Sequence, residues 1–315
     1  MKTTVFIDGQ HGTVGLRIRE KLQLRSDIEV VEIPEELRKD SKARKQYINE
    51  ADLVIFCLPD DAEKDSLPLI ENSDTKVIST STVFRTSEGW VYGLAELQPG
   101  QRELIQSTKR LANPGCYPTG FISILRPLIS ACIVPPDYPM SFWAITGYSG
   151  GGRKMIEEFE GAGPEKRKEI ACRPKNLLLA HKHLPEMQKY SGLDYAPNFV
   201  PIVGDFYNGM LVHVPLINRL LLKQVTPDSV REILSQYYQS ERFIRVISLE
   251  ETRKIGDGFF APSGVNGTNL VEILVSGNER NMVIVARLDN LGKGAATNAV
   301  QNMNLMLGYE ESIGL

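Results

Sequence analysis

Cysteine and histidine are both scarce in this 315-residue chain, with four of each. Cys57, Cys116, Cys132 and Cys172 form no CxxC pair and have no close histidine spacing, so neither zinc nor a disulfide framework is expected. No metal is expected, and reduced thiols in a cytoplasmic protein are the natural reading. Charge of one sign is lacking too: 36 Lys and Arg against 39 Asp and Glu leave a net charge of -3. That balance gives no electrostatic reason to expect nucleic acid or an anionic membrane as partner. No apolar run reaches the roughly 18 residues that a spanning helix needs. The N-terminal stretch MKTTVFIDG reads as a strand almost at once, so no signal peptide is expected. The length suits about two domains and is enough to bury a core without disulfides or metals.

Short apolar runs and amphipathic stretches alternate in the first third. Thr4–Asp8, Ile28–Ile33, Asp52–Leu58 and, more weakly, Lys76–Ser79 read as buried strands. Val14–Leu24, Glu36–Glu50 and Asp61–Glu71 read as helices between them. This alternation predicts an α/β, Rossmann-type parallel sheet with helices on both faces and sites at the carboxyl ends of its strands. After Cys116 comes a helix with Phe121, Ile124, Leu125, Leu128 and Ile129 on one face. Longer strand-like runs follow at Ser141–Thr146, Gly209–Pro215, Leu270–Ser276 and Asn281–Leu288, with no regular helices expected between them. A second, α+β domain with a mixed, largely antiparallel sheet therefore begins near residue 116. The stretch Gly294–Leu307 reads as helix again.

Gly9-Gln-His-Gly12-Thr13-Val14-Gly15 follows the first strand and opens the first helix. Glycines there let a backbone approach a pyrophosphate, and a helix N-terminus supplies free N–H groups and a favourable dipole. A bare tight turn is the alternative, and His11 reads as a loop residue near solvent. Glu32, near the end of the second strand, suits a ribose 2′-hydroxyl and NAD, whereas Arg38, Lys39, Lys42, Arg44 and Lys45 could receive a 2′-phosphate. The residues alone leave that choice open.

Cys116 stands in Ala112-Asn-Pro-Gly-Cys-Tyr-Pro-Thr-Gly120, where an Asn-Pro-Gly turn delivers it to a helix start that favours a thiolate. Cys57, inside a strand, and Cys132, late in a helix, read as small core residues. Cys172 has no evident activating context. His213 sits in an apolar strand and reads as structural, while His181 and His183 lie in a polar stretch. Tyr148-Ser149-Gly150-Gly-Gly-Arg153-Lys154 is a second glycine-rich loop that could take a phosphate or carboxylate, or could simply be a flexible connection.

Several segments together resemble the N-acetyl-gamma-glutamyl-phosphate reductase family of arginine biosynthesis, in its shorter branch, within the aspartate-semialdehyde dehydrogenase-like superfamily. They are Tyr92-Gly-Leu-Ala-Glu96, the Cys116 segment, Gly147–Arg153, His181-Lys-His-Leu-Pro-Glu186 and Asp289–Asn304. The resemblance spans essentially the whole chain. It implies an oxidoreductase using NADP(H), which converts an acyl phosphate to a semialdehyde and inorganic phosphate through a cysteine thioester. It assigns catalysis to Cys116, His183 and Glu186. It implies cofactor contacts at Gly9, Gly12, Thr13, Val14, Gly15, Ser81, Asn298 and Asn302, and substrate contacts at Asn113, Ser149, Gly150, Arg153 and Lys154. It further implies a dinucleotide domain of residues 1–115 completed by 294–315, a catalytic and oligomerisation domain of residues 116–293, and a homodimer or homotetramer. The family's Asp-Leu-Ser-Ala-Asp-Phe-Arg element reads here Ser79-Thr-Ser-Thr-Val-Phe-Arg85, without either acid. The aspartate and aminoadipate semialdehyde dehydrogenases share the thioester logic, and a non-catalytic NADP-binding sensor is the reading from another class.

Overall fold

The computed structural model describes residues 2–256 and 258–315. It divides into two compact units, Met1–Gly115 with Ala295–Leu315, and Cys116–Gly294.

The first unit is built on a six-stranded, wholly parallel sheet. Its strands are β1 (Thr3–Asp8), β2 (Ile28–Val31), β3 (Leu53–Phe56), β4 (Lys76–Ser79), β5 (Val91–Tyr92) and β6 (Arg110–Ala112), in the order β2-β1-β3-β4-β6-β5. All four residues of β3 are buried, as expected of a parallel strand covered on both faces. One face packs on α1 (Thr13–Gln23) and the C-terminal helix Thr297–Leu307, where Ile18, Leu22, Val300 and Met303 meet Val5, Ile7 and Ile55. The other face packs on α2 (Ser41–Glu50), with Phe6, Val54, Phe56 and Val77 around Ile48. Two short helices, α3 (Asp60–Lys64) and α4 (Gln101–Ser107), complete the unit.

The helix expected over Gly294–Leu307 is α-helical from Thr297, after a π-helical turn over Gly292–Ala296, and two other helices differ more from the sequence reading. The helix expected over Asp61–Glu71 ends at Lys64, followed by a single 3-10 turn, Leu67–Leu69. Pro68 disfavours helix at the residue before it, and the Ser66 hydroxyl bonds back to Ala62 O. The helix expected from Glu36 begins at Ser41, because the Asp40 carboxylate accepts the Ala43 amide at 2.8 Å.

The second unit carries a seven-stranded mixed sheet in the order β11-β12-β13-β10-β7-β9-β8. Its strands are β7 (Ser141–Gly147), β8 (Cys172–Pro174), β9 (Asn198–Gly204), β10 (Met210–Ile217), β11 (Ile244–Val246), β12 (Val271–Gly277) and β13 (Asn281–Leu288). The pairs β7–β9 and β11–β12 are parallel and the others antiparallel. One face is covered by α5 (Cys116–Ser130), which lies so close that a Cβ on Gly120 would stand 2.9 Å from Val212 and 3.2 Å from Ala286. On the other face Trp143 remains 39% exposed and stacks on His213 at 5.3 Å.

The expectation of no regular helices between these strands is overturned. Here α6 (Arg153–Glu160), α7 (Pro164–Ile170), α8 (Leu184–Ser191), α9 (Pro227–Tyr237) and α10 (Leu249–Ile255) intervene. Thr226 caps α9, with Pro227 at its first position and Val230 and Leu234 buried one turn apart. Ser248 and Glu251 form a reciprocal capping box on α10. The remaining three have only seven or eight residues, too few for a 3.6-residue period to stand out.

Candidate functional site

In the first unit the glycine turn sits at the carboxyl edge of the sheet, directly after β1. Gly9 has φ +96°, and a Cβ there would lie 2.4 Å from the Cys57 carbonyl. A Cβ on Gly15 would lie 2.4 Å from the Gly9 carbonyl, so the turn and the first coil of α1 touch backbone to backbone. Gly12 precedes α1 with no side-chain cap, which leaves the first-turn region of Thr13, Val14 and Gly15 suited to an anion. Ser81 lies just beyond β4, its hydroxyl 3.3 Å from that of Ser79. Buried Arg85 pins this loop by donating to Thr80 O and Asn113 O. These features fit a dinucleotide.

Asn113, Asn298 and Asn302 are instead buried where the C-terminal helix meets the strands. The side-chain amides of Asn298 and Asn302 each donate to Gly93 O and to Asn113 Oδ1, over 2.8–3.0 Å. Asn113 itself donates to Ala295 O. The Oδ1 atoms of Asn298 and Asn302 are buried acceptors without a partner among the described residues, which a carboxamide could satisfy.

The residues around β2 are largely spoken for. Glu32 holds Arg19 at 2.7 Å and accepts from Gln23. His11 and Arg38 both pair with Glu35, and Lys45 pairs with Glu71. Arg44 donates to Asp8 and to Ser66, and burial raises the Asp8 carboxyl despite that partner. Lys39 and Lys42 are exposed and make no ion pair among the described residues.

In the second unit Cys116 is the first residue of α5 and half-buried. Tyr117 beside it meets the ring of His181 edge-on at 5.5 Å and that of His183 at 5.9 Å. The two imidazoles are 4.6 Å apart, and the His183 amide donates to His181 Nδ1 at 3.1 Å. When neutral, His181 therefore carries its proton on Nε2. His183 immediately precedes α8, and both histidines are nearly buried. Glu186 lies in the first turn of α8, also buried; its charge, after burial itself, helps push Tyr190 up to about 12.

Sequence reasoning missed two residues here. Lys175 continues β8, its amide bonded to Pro201 O, so alternation puts its side chain on the same sheet face as Phe199. Phe199 touches both Tyr117 and His181. Burial lowers the Lys175 ammonium while the charge of a Cys116 thiolate acts to raise it, and no carboxylate pairs with it among the described residues. A β8–β9 register is the only signal that could have found it. The second is Gly294, where a Cβ would come within 2.7 Å of the Cys116 Cβ. Asp289 shapes that turn: its carbonyl accepts the Gly292 and Gly294 amides, and its carboxylate accepts Asn208, Gly267 and Leu291.

The second glycine-rich loop is a single 3-10 turn, Tyr148–Gly151, ahead of α6. Ser149 is buried and its hydroxyl accepts from Asn290 at 3.0 Å, whereas Gly150 is exposed. Arg153 is 81% exposed and paired with Glu157, and Lys154 is exposed beside it. Of the other thiols, Cys57 is held up at about 12 by burial, while Cys172 is exposed. Cys132, expected in the core, is exposed as well: it follows the last turn of α5 at φ +52°, where the chain leaves the helix. Burial pushes His213 down to about 4.

Residues 4–105 match the family described as semialdehyde dehydrogenase, NAD binding domain, and residues 116–290 match semialdehyde dehydrogenase, dimerisation domain. Fold and site thus define a semialdehyde dehydrogenase with a nicotinamide-dinucleotide unit and a dimerisation unit. Among solved structures, aspartate semialdehyde dehydrogenase II of Vibrio cholerae shares the fold, with a TM-score of 0.72 and 18% identity over 98% of this chain and 99% of that one. An N-acetyl-gamma-glutamyl-phosphate reductase of Trichormus variabilis is 43% identical over 100% of this chain and 99% of its own length. N-acetyl-gamma-glutamyl-phosphate reductase 2 of Pseudomonas putida is 42% identical over 98% of each. The chain belongs to the N-acetyl-gamma-glutamyl-phosphate reductase family.

Proposed function

We propose that this chain reduces N-acetyl-gamma-glutamyl phosphate to N-acetylglutamate semialdehyde and inorganic phosphate through a thioester on Cys116. The observation that carries the reading is the position of Cys116 at the first residue of α5, with Tyr117, His181 and His183 in ring contact beside it. The helix N-terminus favours the thiolate. The Cys116 Sγ attacks the acyl carbon, the acyl–phosphate bond breaks, and phosphate leaves with the electron pair, giving the thioester. A bound nicotinamide supplies the hydride that the thioester carbonyl accepts. Collapse of the thiohemiacetal returns the thiol and the aldehyde, and His183 moves the proton at the hemiacetal oxygen or at Sγ. To Glu186, buried in the first turn of α8, we assign the orienting of His183 at that helix's start.

Lys175 is the cation we assign to the anionic end of the substrate, and Arg153 and Lys154 of α6 are exposed enough to meet phosphate as it enters. We assign NADP(H) in preference to NAD(H): Glu32 is committed to Arg19, and Lys39 and Lys42 stand beyond β2 to receive a 2′-phosphate. Gly9, Gly12, Thr13, Val14, Gly15 and Ser81 would hold the dinucleotide, and the Asn298 and Asn302 oxygens suit a carboxamide donor. The dimerisation-domain match supports a homo-oligomer.

The reverse assay tests the reading: phosphate-dependent reduction of NADP by N-acetylglutamate semialdehyde, run beside the aspartate and aminoadipate semialdehydes and beside NAD. The first semialdehyde with NADP should give the highest kcat/KM. Replacing Cys116 by Ser should abolish turnover, and near-normal turnover in that variant would sink the scheme. His183→Ala should lower kcat by about 10²–10⁴-fold.

A further inference from the structure

Glu63, in α3, is fully buried, and none of the roles above employs it. Neither carboxyl oxygen has a hydrogen-bond partner of good geometry among the described residues. The Ser79 and Ser81 hydroxyls and the Ser81 amide lie near enough to favour its ionised form, while Asp60 at the start of α3 opposes it. Burial outweighs them all and lifts the carboxyl to about 7. Among the described residues no cation acts on the carboxyl: buried Arg85, in the same loop, donates to Thr80 O and Asn113 O. Cys57, closing β3, feels the charges of Glu63 and of Asp8, and Arg44 of α2 is committed to Asp8 and Ser66. Asp60 is engaged with the Thr82 amide and hydroxyl. The loop from Ser79 to Arg85 carries no acid of its own, so α3 brings a carboxyl to it from the side.

We propose that Glu63 is a positioning residue for the dinucleotide, its proton setting the direction in which the Ser81 hydroxyl points. This rests on the reading that Ser81 meets the dinucleotide. When neutral, the carboxyl O–H donates to the Ser79–Ser81 hydroxyl pair, whose oxygens are 3.3 Å apart, and the last O–H of that chain turns outward to the ligand. When ionised, the carboxylate draws both hydroxyls and the Ser81 amide inward, and it sets a negative charge beneath an anionic ligand. Dinucleotide affinity therefore rises as the pH falls through neutrality, by linkage.

The test is titration of the full chain with NADPH at about pH 6 and about pH 8.5, pH values chosen to bracket the transition. Glu63→Gln, whose amide stays neutral at both, serves as the control for the ligand's own titration. The wild type should bind about tenfold more tightly at the lower pH, beyond any change in Glu63→Gln; tenfold corresponds to the carboxyl's pKa rising by about one unit on binding. Glu63→Gln should bind at the higher pH about as tightly as the wild type does at the lower. Coincident pH profiles, or a wild-type slope of the opposite sign, would overturn the proposal. Should the variant fold poorly, infrared difference spectroscopy of the wild-type carboxyl provides a second measurement, in which NADPH must raise the pH at which Glu63 ionises; an unmoved band overturns the inference. Absence of NADPH binding at every pH removes the dinucleotide reading and this inference with it.

Discussion

At the residue scale, two side chains and one missing side chain govern the expected chemistry. Gly294 has no room for a Cβ against Cys116, so Gly294→Ala must displace the nucleophile. A displacement of about 1 Å can cost on the order of 10²-fold in rate, so kcat should fall sharply while NADPH binding, measured separately, stays near wild type. Lys175→Met should raise the KM for one anion: an effect confined to the semialdehyde would mark a carboxylate contact, and one confined to phosphate would mark the leaving group. Loss of neither would remove Lys175 from the site. Glu63 also sets a stability trend. Burial holds its carboxyl at about 7 in the folded chain, above the 4.5 of a solvated glutamate, so the folded chain holds the proton more tightly between those values. Stability should therefore decline from about pH 4.5 to about pH 7 by up to roughly 3 kcal/mol, and thermal melts of Glu63→Gln should lack that decline. Cys116 was legible in the sequence because its Asn-Pro-Gly turn and helix start are local. Lys175 and Glu63 were not, because the significance of each comes from a neighbour distant in sequence: Pro201 for the one, Ser79 and Ser81 for the other.

At the scale of elements, the turn between β1 and α1 tolerates no side chain at its first glycine. Gly9→Ala would combine a left-handed backbone with a clash on the Cys57 carbonyl, and should cost stability and abolish NADPH binding, read by melting and by titration. Thr226→Ala removes the α9 cap and should lower stability by about 1 kcal/mol without touching activity. The parallel strands were readable because burial on both faces makes their sequences continuously apolar. The helices of the second unit were harder to see. The α9 and α10 caps were present as Thr226-Pro227 and Ser248–Glu251, but strand-like runs on either side dominated the periodicity. The edge strand β8 is three residues long, and nothing local distinguishes it from a loop.

At the scale of the whole molecule, the part of the seven-stranded sheet opposite α5 that Ile247, Ile255 and Phe260 do not cover is the surface we propose for self-association. Trp143 stacked on His213, with the 38% exposed Ile217 on β10, presents apolar area that a monomer would leave to water. Trp143→Glu should shift the chain toward monomer in sedimentation, and an unchanged assembly would place the contact elsewhere. The path of the chain has its own consequence. The first unit is left at Gly115 and regained only at Ala295, yet Val300 and Met303 of its last helix fill the core over β1 and β3. On a ribosome, which releases the N-terminal end first, β1 to β6 must wait with the sheet face beside α1 only partly covered until the helix Thr297–Leu307 has emerged. The intervening unit has no such debt to later sequence and can fold during the wait. A chain stalled before residue 295 should therefore offer a chaperone, or a protease, a nucleotide unit still missing part of one wall.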